Sequence, residues 1–367
     1  MNQPDWYQQL KVIYPAHQIQ QIDSNGLQFQ LTHDADKLFA SVASDTSFGG
    51  PLTLASVSSS EGKVKQVHLL SHGDTPAYIQ KLRNAGYFRQ FEKQDIGTTL
   101  TSNQQWDSVS GATISSNAIL RAYTKASHTL AIDQFQLNPA PMQTQIAFSW
   151  LHLALIALIV LSFINIWLKS SKLKLIYTYA SVGVLGFTAN QMINSGGFAG
   201  ILMGYIPAPH ENLGFWLLFG SVIFAIVVVG KNIYCGNVCP FHGIQLLLKK
   251  LSGITLPIPP RLLRYLGYFP KIGLWAALMI SFLTTKPSAG SYEPFSMIFS
   301  LQGEGIQWYI LPAIIIGCFF IPDMFCRFFC PAGEMLTQLI RLRNWLVSAV
   351  PTRKESSQSI QVKEVKS

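Results

Sequence analysis

Four of the five cysteines in this 367-residue chain stand in two matching Cys-x-x-x-Cys-Pro motifs, Cys235 and Cys239 before Pro240, and Cys326 and Cys330 before Pro331. A spacing of i, i+4 puts both thiols of a pair on one side of a helical turn. Proline after the second cysteine suits the first turn of a new helix, where free backbone amides stabilise thiolates and bound sulfide. Soft thiolate sets of this kind select iron–sulfur clusters or zinc. Structural zinc usually relies on tighter Cys-x-x-Cys knuckles. The fifth thiol, Cys318, lies inside an apolar run and reads as packing.

The two motifs are 91 residues apart. Shifting the uncharged stretch 176–193 by the same interval gives 267–284, a second apolar run interrupted only by Lys271. Each unit then reads as helix, apolar loop, helix, cysteine motif and amphipathic helix, the last at 241–251 and 332–346. Both copies run the same way through the membrane, so an axis along its normal relates them. That axis brings both cysteine pairs into one four-thiolate site. An iron–sulfur cluster is favoured there, [4Fe–4S] over [2Fe–2S].

A second chemistry-bearing stretch lies in the polar amino-terminal part: Asp107, Ser108, Val109, Ser110, Gly111, Ala112 and Thr113. Read plainly, it is a polar loop entering a helix, with Ser115 or Ser116 as N-cap for residues 118–126. More of the region carries a pattern. Ser47 to Leu52 leads into an apolar stretch, and Glu61, Gly62, Lys63 and Val64 form a hairpin turn signal. A strand at 67–71 then precedes His72, Gly73, Asp74, Thr75 and Pro76.

These three elements resemble, in order, the FMN-binding domains of the NqrC, RnfG and NosR type over residues 22–135. Asp74 stands where that family has Glu. The resemblance implies a covalent FMN whose phosphate is esterified to Thr113 by a separate flavin transferase. Asp107, Ser110, Gly111, Ala112, Thr75 and Pro76 would complete the flavin site. Gly111 suits the close approach of a phosphate donor, and Ala112 adds little bulk beside the acceptor hydroxyl. The segments around Cys235–Cys239 and Cys326–Cys330 resemble the paired motifs of NosR, NapH and PceC membrane proteins. NosR itself ends in a ferredoxin module that is not seen here, so the expected layout is closer to PceC than to NosR.

Charged residues make up only 12% of the chain and are unevenly placed. Residues 147–168, 175–193 and 213–230 carry none, while 266–285 contains only Lys271 and 306–325 only Asp323. Runs of this length span a hydrocarbon layer, and five of them predict five transmembrane helices. Basic residues cluster in alternate loops: Lys169, Lys172 and Lys174, then Lys231 to Arg264, then Arg327, Arg341 and Arg343. The intervening loops, 194–212 and 286–305, carry only Lys286. Positive loops stay cytoplasmic. This places the chain in the bacterial inner membrane, its FMN domain periplasmic and its carboxyl terminus cytoplasmic. The net charge of +9 therefore reports topology, and no basic stripe with interleaved aromatics points to nucleic acid. Residues 1–15 lack the apolar core of an export signal. Because relatives usually carry such a helix, the expectation is that one is missing from this version of the chain.

The expected architecture is an α+β FMN-binding domain followed by an all-α polytopic membrane domain of about five helices with an internal two-fold repeat. Its parts are a lead segment (1–21), the FMN domain (22–140), the membrane domain (147–350, with repeat units at 175–251 and 266–346) and a disordered tail (351–367). The expected function is electron transfer between a cytoplasmic-side cluster and the periplasmic FMN, an oxidoreductase-type carrier without an assignable substrate. A periplasmic redox partner or acceptor is implied, and a quinone is one way to bridge the layer between the two centres. The alternative is an accessory or regulatory protein that supports a periplasmic metalloenzyme. His152 and His210 are of the type that binds haem or a quinone, but read as structural. His242 is placed to hydrogen-bond near the cluster, while Asp323 and Glu334 are expected to be solvated or paired with Arg327.

Overall fold

The computed structural model describes residues 5–34, 36–47, 49–74, 76–98, 113–141, 148–210, 212–301 and 307–349. The amino-terminal part is built on a five-stranded antiparallel meander, in order β1 (Gln18–Gln21), β2 (Gln28–His33), β3 (Asp36–Ser47), β4 (Gly50–Ser59) and β5 (Val64–His72). The Glu61–Gly62 turn joins β4 to β5, with Gly62 at φ 77°, a left-handed conformation that costs glycine little. Both faces of the sheet are covered, so β4 is buried along nearly its whole length. Alternation along a strand sends successive side chains to opposite faces. Leu52 and Leu54 pack with Ile119, Tyr123 and Phe91 on one face, and Ala55 and Val57 with Phe29, Leu31 and Leu10 on the other.

Leu10 belongs to helix α1 (Trp6–Ile13), so α1 and β1 pack on the same sheet although the sequence reading set residues 1–21 apart as a lead segment. The first face is roofed by α2 (Pro76–Asn84) and the long α3 (Thr113–Phe135). Ser115 and Ser116 are buried within α3. Neither is the N-cap of a shorter helix, as the plain reading had it. Asp45 ties α3 to the sheet edge, accepting from Arg121 Nε at 3.1 Å and Lys125 Nζ at 2.5 Å.

The remainder of the described chain is helical. Helix α4 (Trp150–Leu168) is about 28 Å long at 1.5 Å per residue, close to the hydrocarbon thickness. One side packs through Leu155 and Leu158 while Leu153, Ile156, Val160 and Ile164 face outward, and Trp150 and Trp167 stand exposed at its two ends, the positions interfacial tryptophans take. A second helical stretch, Pro260–Thr284, is also long and apolar enough to cross a membrane, while Leu213–Val229 and Gln307–Phe320 are shorter apolar helices.

The expected span 175–193 is not a continuous helix. Helix α5 (Ser171–Ser181) loosens into a wide turn over Val182–Thr188, and Asn190 is left-handed at φ 44°. Gly186 sits against the ring of Phe299, where a Cβ would lie 2.4 Å from it. The chain then starts again as α6 (Ser195–Leu202), with Asn194 Oδ1 capping Gly197 N at 2.8 Å. The helices that follow are α7 (Leu213–Phe224), α8 (Pro240–Ser252), α9 (Pro260–Leu266), α10 (Phe269–Thr284), α11 (Phe295–Ser300), α12 (Gln307–Phe320), α13 (Met324–Phe328) and α14 (Pro331–Ala349).

Candidate metal centre and flavin site

Each cysteine pair is held by the same backbone arrangement. Cys239 N donates to Tyr234 O and Cys330 N to Phe325 O, each at 2.9 Å, so both motifs close a wide turn before the proline. Gly243 N then donates to Cys239 O, and Glu334 N to Cys330 O, each at 3.3 Å. Every one of these positions recurs after 91 residues. Pro240 and Pro331 open α8 and α14, where proline loses no helical hydrogen bond. In the first copy Asn232 Oδ1 accepts from Tyr234 N and Cys235 N, both at 3.0 Å.

The four cysteines line one cavity of ≈ 230 Å³, closed by Ile193, Tyr234, Phe295 and Gly333. Cys239 and Cys330 are buried, while Cys235 and Cys326 are partly exposed. Gly333 supplies part of the space: a Cβ there would stand 3.5 Å from Cys330 Sγ and 3.8 Å from Cys235 Sγ, sulfurs from opposite motifs. Donors point at the sulfurs. Gly333 N lies 3.2 Å from Cys330 Sγ, Gln245 Nε2 2.9 Å from Cys326 Sγ, and the His242 and Phe241 amides face Cys239.

Burial, then repulsion from Cys239, pushes the Cys235 thiol up to about 12. Burial and the neighbouring thiols push Cys326 and Cys330 well up too. Thiols that raise one another's pKa in this way need a cationic centre to ionise together. Among the described residues no three His, Cys, Asp or Glu side chains could hold a single metal ion. A mononuclear zinc site would bring the sulfurs to roughly 3.8 Å from one another, given Zn–S bonds of about 2.3 Å. A shared cavity with amide donors on its sulfurs fits the broader footprint of a cluster.

Of the flavin residues, Thr113 is the first residue of α3 and is exposed. A phosphoester on its hydroxyl would sit at a helix N-terminus, where free amides and the helix dipole favour an anion. Pro76 opens α2. Asp107, Ser110, Gly111, Ala112 and Thr75 lie outside the described residues. Asp74 is buried, and its carboxylate accepts from Gly49 N at 2.6 Å and Ser47 Oγ at 2.5 Å. Gly49 and Gly73 pack backbone on backbone there, since a Cβ at Gly49 would lie 2.1 Å from Gly73 O.

The segment between α10 and α11 touches both the sheet of the amino-terminal part and the cysteine cavity. Ser288 Oγ donates to Gly73 O, and a Cβ on Gly50 would meet Pro287 at 3.3 Å and the Tyr205 ring at 3.5 Å. Four residues on, Tyr292 OH donates to Phe329 O at 2.6 Å, beside Cys330. Glu293 is buried, accepting from Ser195 N, Ser195 Oγ and Ser291 Oγ at 2.7–2.8 Å. Phe295 lines the cysteine cavity. The sequence places this loop and the cysteines at opposite faces of the membrane. In the structure the loop reaches the cavity.

The other residues singled out in the sequence take defined places. Asp323 pairs with His242 at 3.2 Å, and the amide of His242, not its ring, faces the cysteine. Glu334 accepts from Gln338 at 2.5 Å and lies 3.7 Å from Arg341, while Arg327 stacks on Phe328. His152 Nδ1 accepts from Ser149 N at 2.9 Å, a helix-capping role. Cys318 is buried against Gln245. Sequence reading missed Asn232, Gln245, Tyr292 and Glu293. Glu293 carried a signal, a glutamate in an otherwise apolar loop between hydrophobic runs.

Residues 48–128 match the FMN-binding domain family, and residues 212–259 and 309–348 match the 4Fe–4S binding domain family. The chain thus joins an FMN-binding domain to a 4Fe–4S binding domain, and FMN and an iron–sulfur cluster are the cofactors these domains take. It is similar to Protein NirI of Paracoccus denitrificans, 25% identical over 141 residues, covering 36% of this chain and 21% of that protein. It is also similar to Regulatory protein NosR of Stutzerimonas stutzeri (26% identity; 36% of this chain, 20% of NosR) and of Pseudomonas aeruginosa (24%, with the same coverage). The match thus spans about one fifth of the length of these curated relatives. No solved structure gives a significant match.

Proposed function

We propose that this protein carries electrons within a membrane, between an iron–sulfur cluster held by Cys235, Cys239, Cys326 and Cys330 and an FMN esterified to Thr113. The observation that carries the reading is the single cavity shared by both cysteine pairs, in a chain whose residues 48–128 match an FMN-binding domain. Once bound, the cluster supplies one-electron chemistry and the flavin joins it to two-electron chemistry. The chain's own work is placement: amides of Gly333, His242 and Gln245 directed at sulfur, apolar side chains such as Ile193 and Phe295 at the cavity wall, and a helix N-terminus beneath the phosphoester. In this reading five spans cross the inner membrane, with the flavin domain periplasmic and a periplasmic redox protein or small acceptor as partner. Attachment of the flavin needs a separate transferase.

The test compares wild type with Thr113→Val, co-expressed with a flavin transferase, by denaturing electrophoresis under ultraviolet light, alongside iron and acid-labile sulfide assays. A fluorescent band lost in the variant, with iron and sulfide in both, supports the reading. A wild type without fluorescence contradicts the covalent flavin, and zinc in place of iron contradicts the cluster.

A second reading rests on the relatives named regulatory: the redox centres sense rather than conduct. Normal activity of a periplasmic partner enzyme in Thr113→Val, with loss only of its expression or assembly, would favour it.

A further inference from the structure

Building on that proposed function, we infer that the segment from Pro287 to Phe295 is a positioning strut that sets the separation between flavin and cluster, so that transfer occurs at fixed distance inside one chain. One electron moves between the two cofactors, oxidising one and reducing the other by one unit, and no bond is made or broken.

The flavin-domain end of the strut is rigid. Asp74 clamps Gly49 N and Ser47 Oγ, and the Gly49–Gly73 backbone contact leaves no room for a side chain. This platform includes Gly73 and Asp74, from the segment that resembles the flavin-family motif, and it rests on Ser288 and Pro287.

The other end is equally held. Gly290 packs on α10, where a Cβ would lie 2.0 Å from Ala277 O, and Ser281 Oγ donates to Pro287 O at 3.0 Å. Glu293 bolts the strut to the start of α6 through Ser195. Tyr292 reaches the carbonyl beside Cys330, and Phe295 packs on Phe241 and Phe325 at the cavity wall. Between Ser288 and Tyr292 four residues span at most about 14 Å of backbone, and the turn at Pro287–Gly290 shortens that. This short link joins a contact on the flavin domain to one beside Cys330, whereas the sequence reading set the two domains' sites a hydrocarbon thickness of about 30 Å apart.

Ser288 is a positioning residue under this inference, and touches neither cofactor. The test uses the full chain in lipid nanodiscs, comparing wild type, Ser288→Ala and the wedge Ser288→Trp. Hydrogen exchange is measured first on protein free of both cofactors. Peptides covering Ser71 to Asp74 and Lys286 to Tyr292 should be protected in wild type and exchange faster in both variants, most in Ser288→Trp. In loaded protein, flash photoreduction of the flavin with the cluster absorbance as readout should then show transfer slowed roughly tenfold or more by the wedge, and less by alanine. Iron, sulfide and flavin contents and both midpoint potentials should stay at wild-type values.

Unprotected peptides in wild type, or wild-type transfer rates in a fully loaded Ser288→Trp, overturn the strut. If the wedge loses a cofactor, Ser288→Ala decides by the same two readouts. A wild type that never binds flavin or cluster overturns the proposed function instead, and the exchange data on cofactor-free protein still judge the contact.

Discussion

Gln245, on the helix that follows the first cysteine pair, donates its side-chain amide to Cys326 Sγ of the second pair at 2.9 Å. The same side chain accepts from Phe325 N at 3.1 Å and from Cys318 Sγ at 3.4 Å. One buried amide therefore laces the two copies of the motif together and aims a donor at a candidate cluster ligand.

Replacing Gln245 by leucine strands the buried Phe325 amide, at a cost of about 1–3 kcal/mol. It also removes an N–H donor from a sulfur that gains negative charge when the cluster is reduced. The midpoint potential should fall. A redox titration followed by electron paramagnetic resonance measures it, and an unchanged or higher potential would refute the role.

Gly333 should be sensitive to side-chain size. A lone Cβ fits at 3.5 and 3.8 Å from Cys330 and Cys235, so Gly333→Ala should retain iron and sulfide. The branched side chain of Gly333→Val would fill cluster space, and most of the iron should be lost while flavin content stays at the wild-type level. Metal analysis on the two purified variants checks this.

Asp45 anchors α3 electrostatically. Burial opposes its ionisation, but Lys125 and Arg121 together outweigh that and hold its carboxyl below the usual range. A depressed folded pKa contributes stability above the unfolded value of about 3.9, and that stability is lost as pH falls through the folded pKa. Asp45→Asn should therefore destabilise the flavin domain by roughly 1–3 kcal/mol at pH 7. The gap from wild type should close below about pH 4. Thermal unfolding of the intact protein, read by flavin fluorescence across pH, tests both parts.

What could be read from the sequence was what chemistry and period encode locally. The Cys-Pro motifs carry their own backbone solution, which is why two copies 91 residues apart close the same wide turn at Tyr234 and Phe325. The β4–β5 hairpin announced itself through Gly62, and the amphipathic helices began where the prolines stood. Packing across the chain was invisible. Residues 175–193 are uncharged throughout, and nothing in their polarity tells that the Phe299 ring would occupy the space beside Gly186 or that the helical turns would stop at Thr188. Ser288 and Gly73 are 215 residues apart, and neither residue type announces a contact. The membrane-thickness gap in the sequence reading came from treating loops as confined to the face where they start.

The central claim is that cluster and flavin exchange electrons within one molecule. The most direct measurement is the rate of flavin-to-cluster equilibration after flash photoreduction of the loaded protein in nanodiscs, across a wide range of protein concentration. The account predicts a first-order rate independent of concentration, absent in Thr113→Val. A rate that scales with concentration, or a flavin and cluster that never equilibrate, would contradict it.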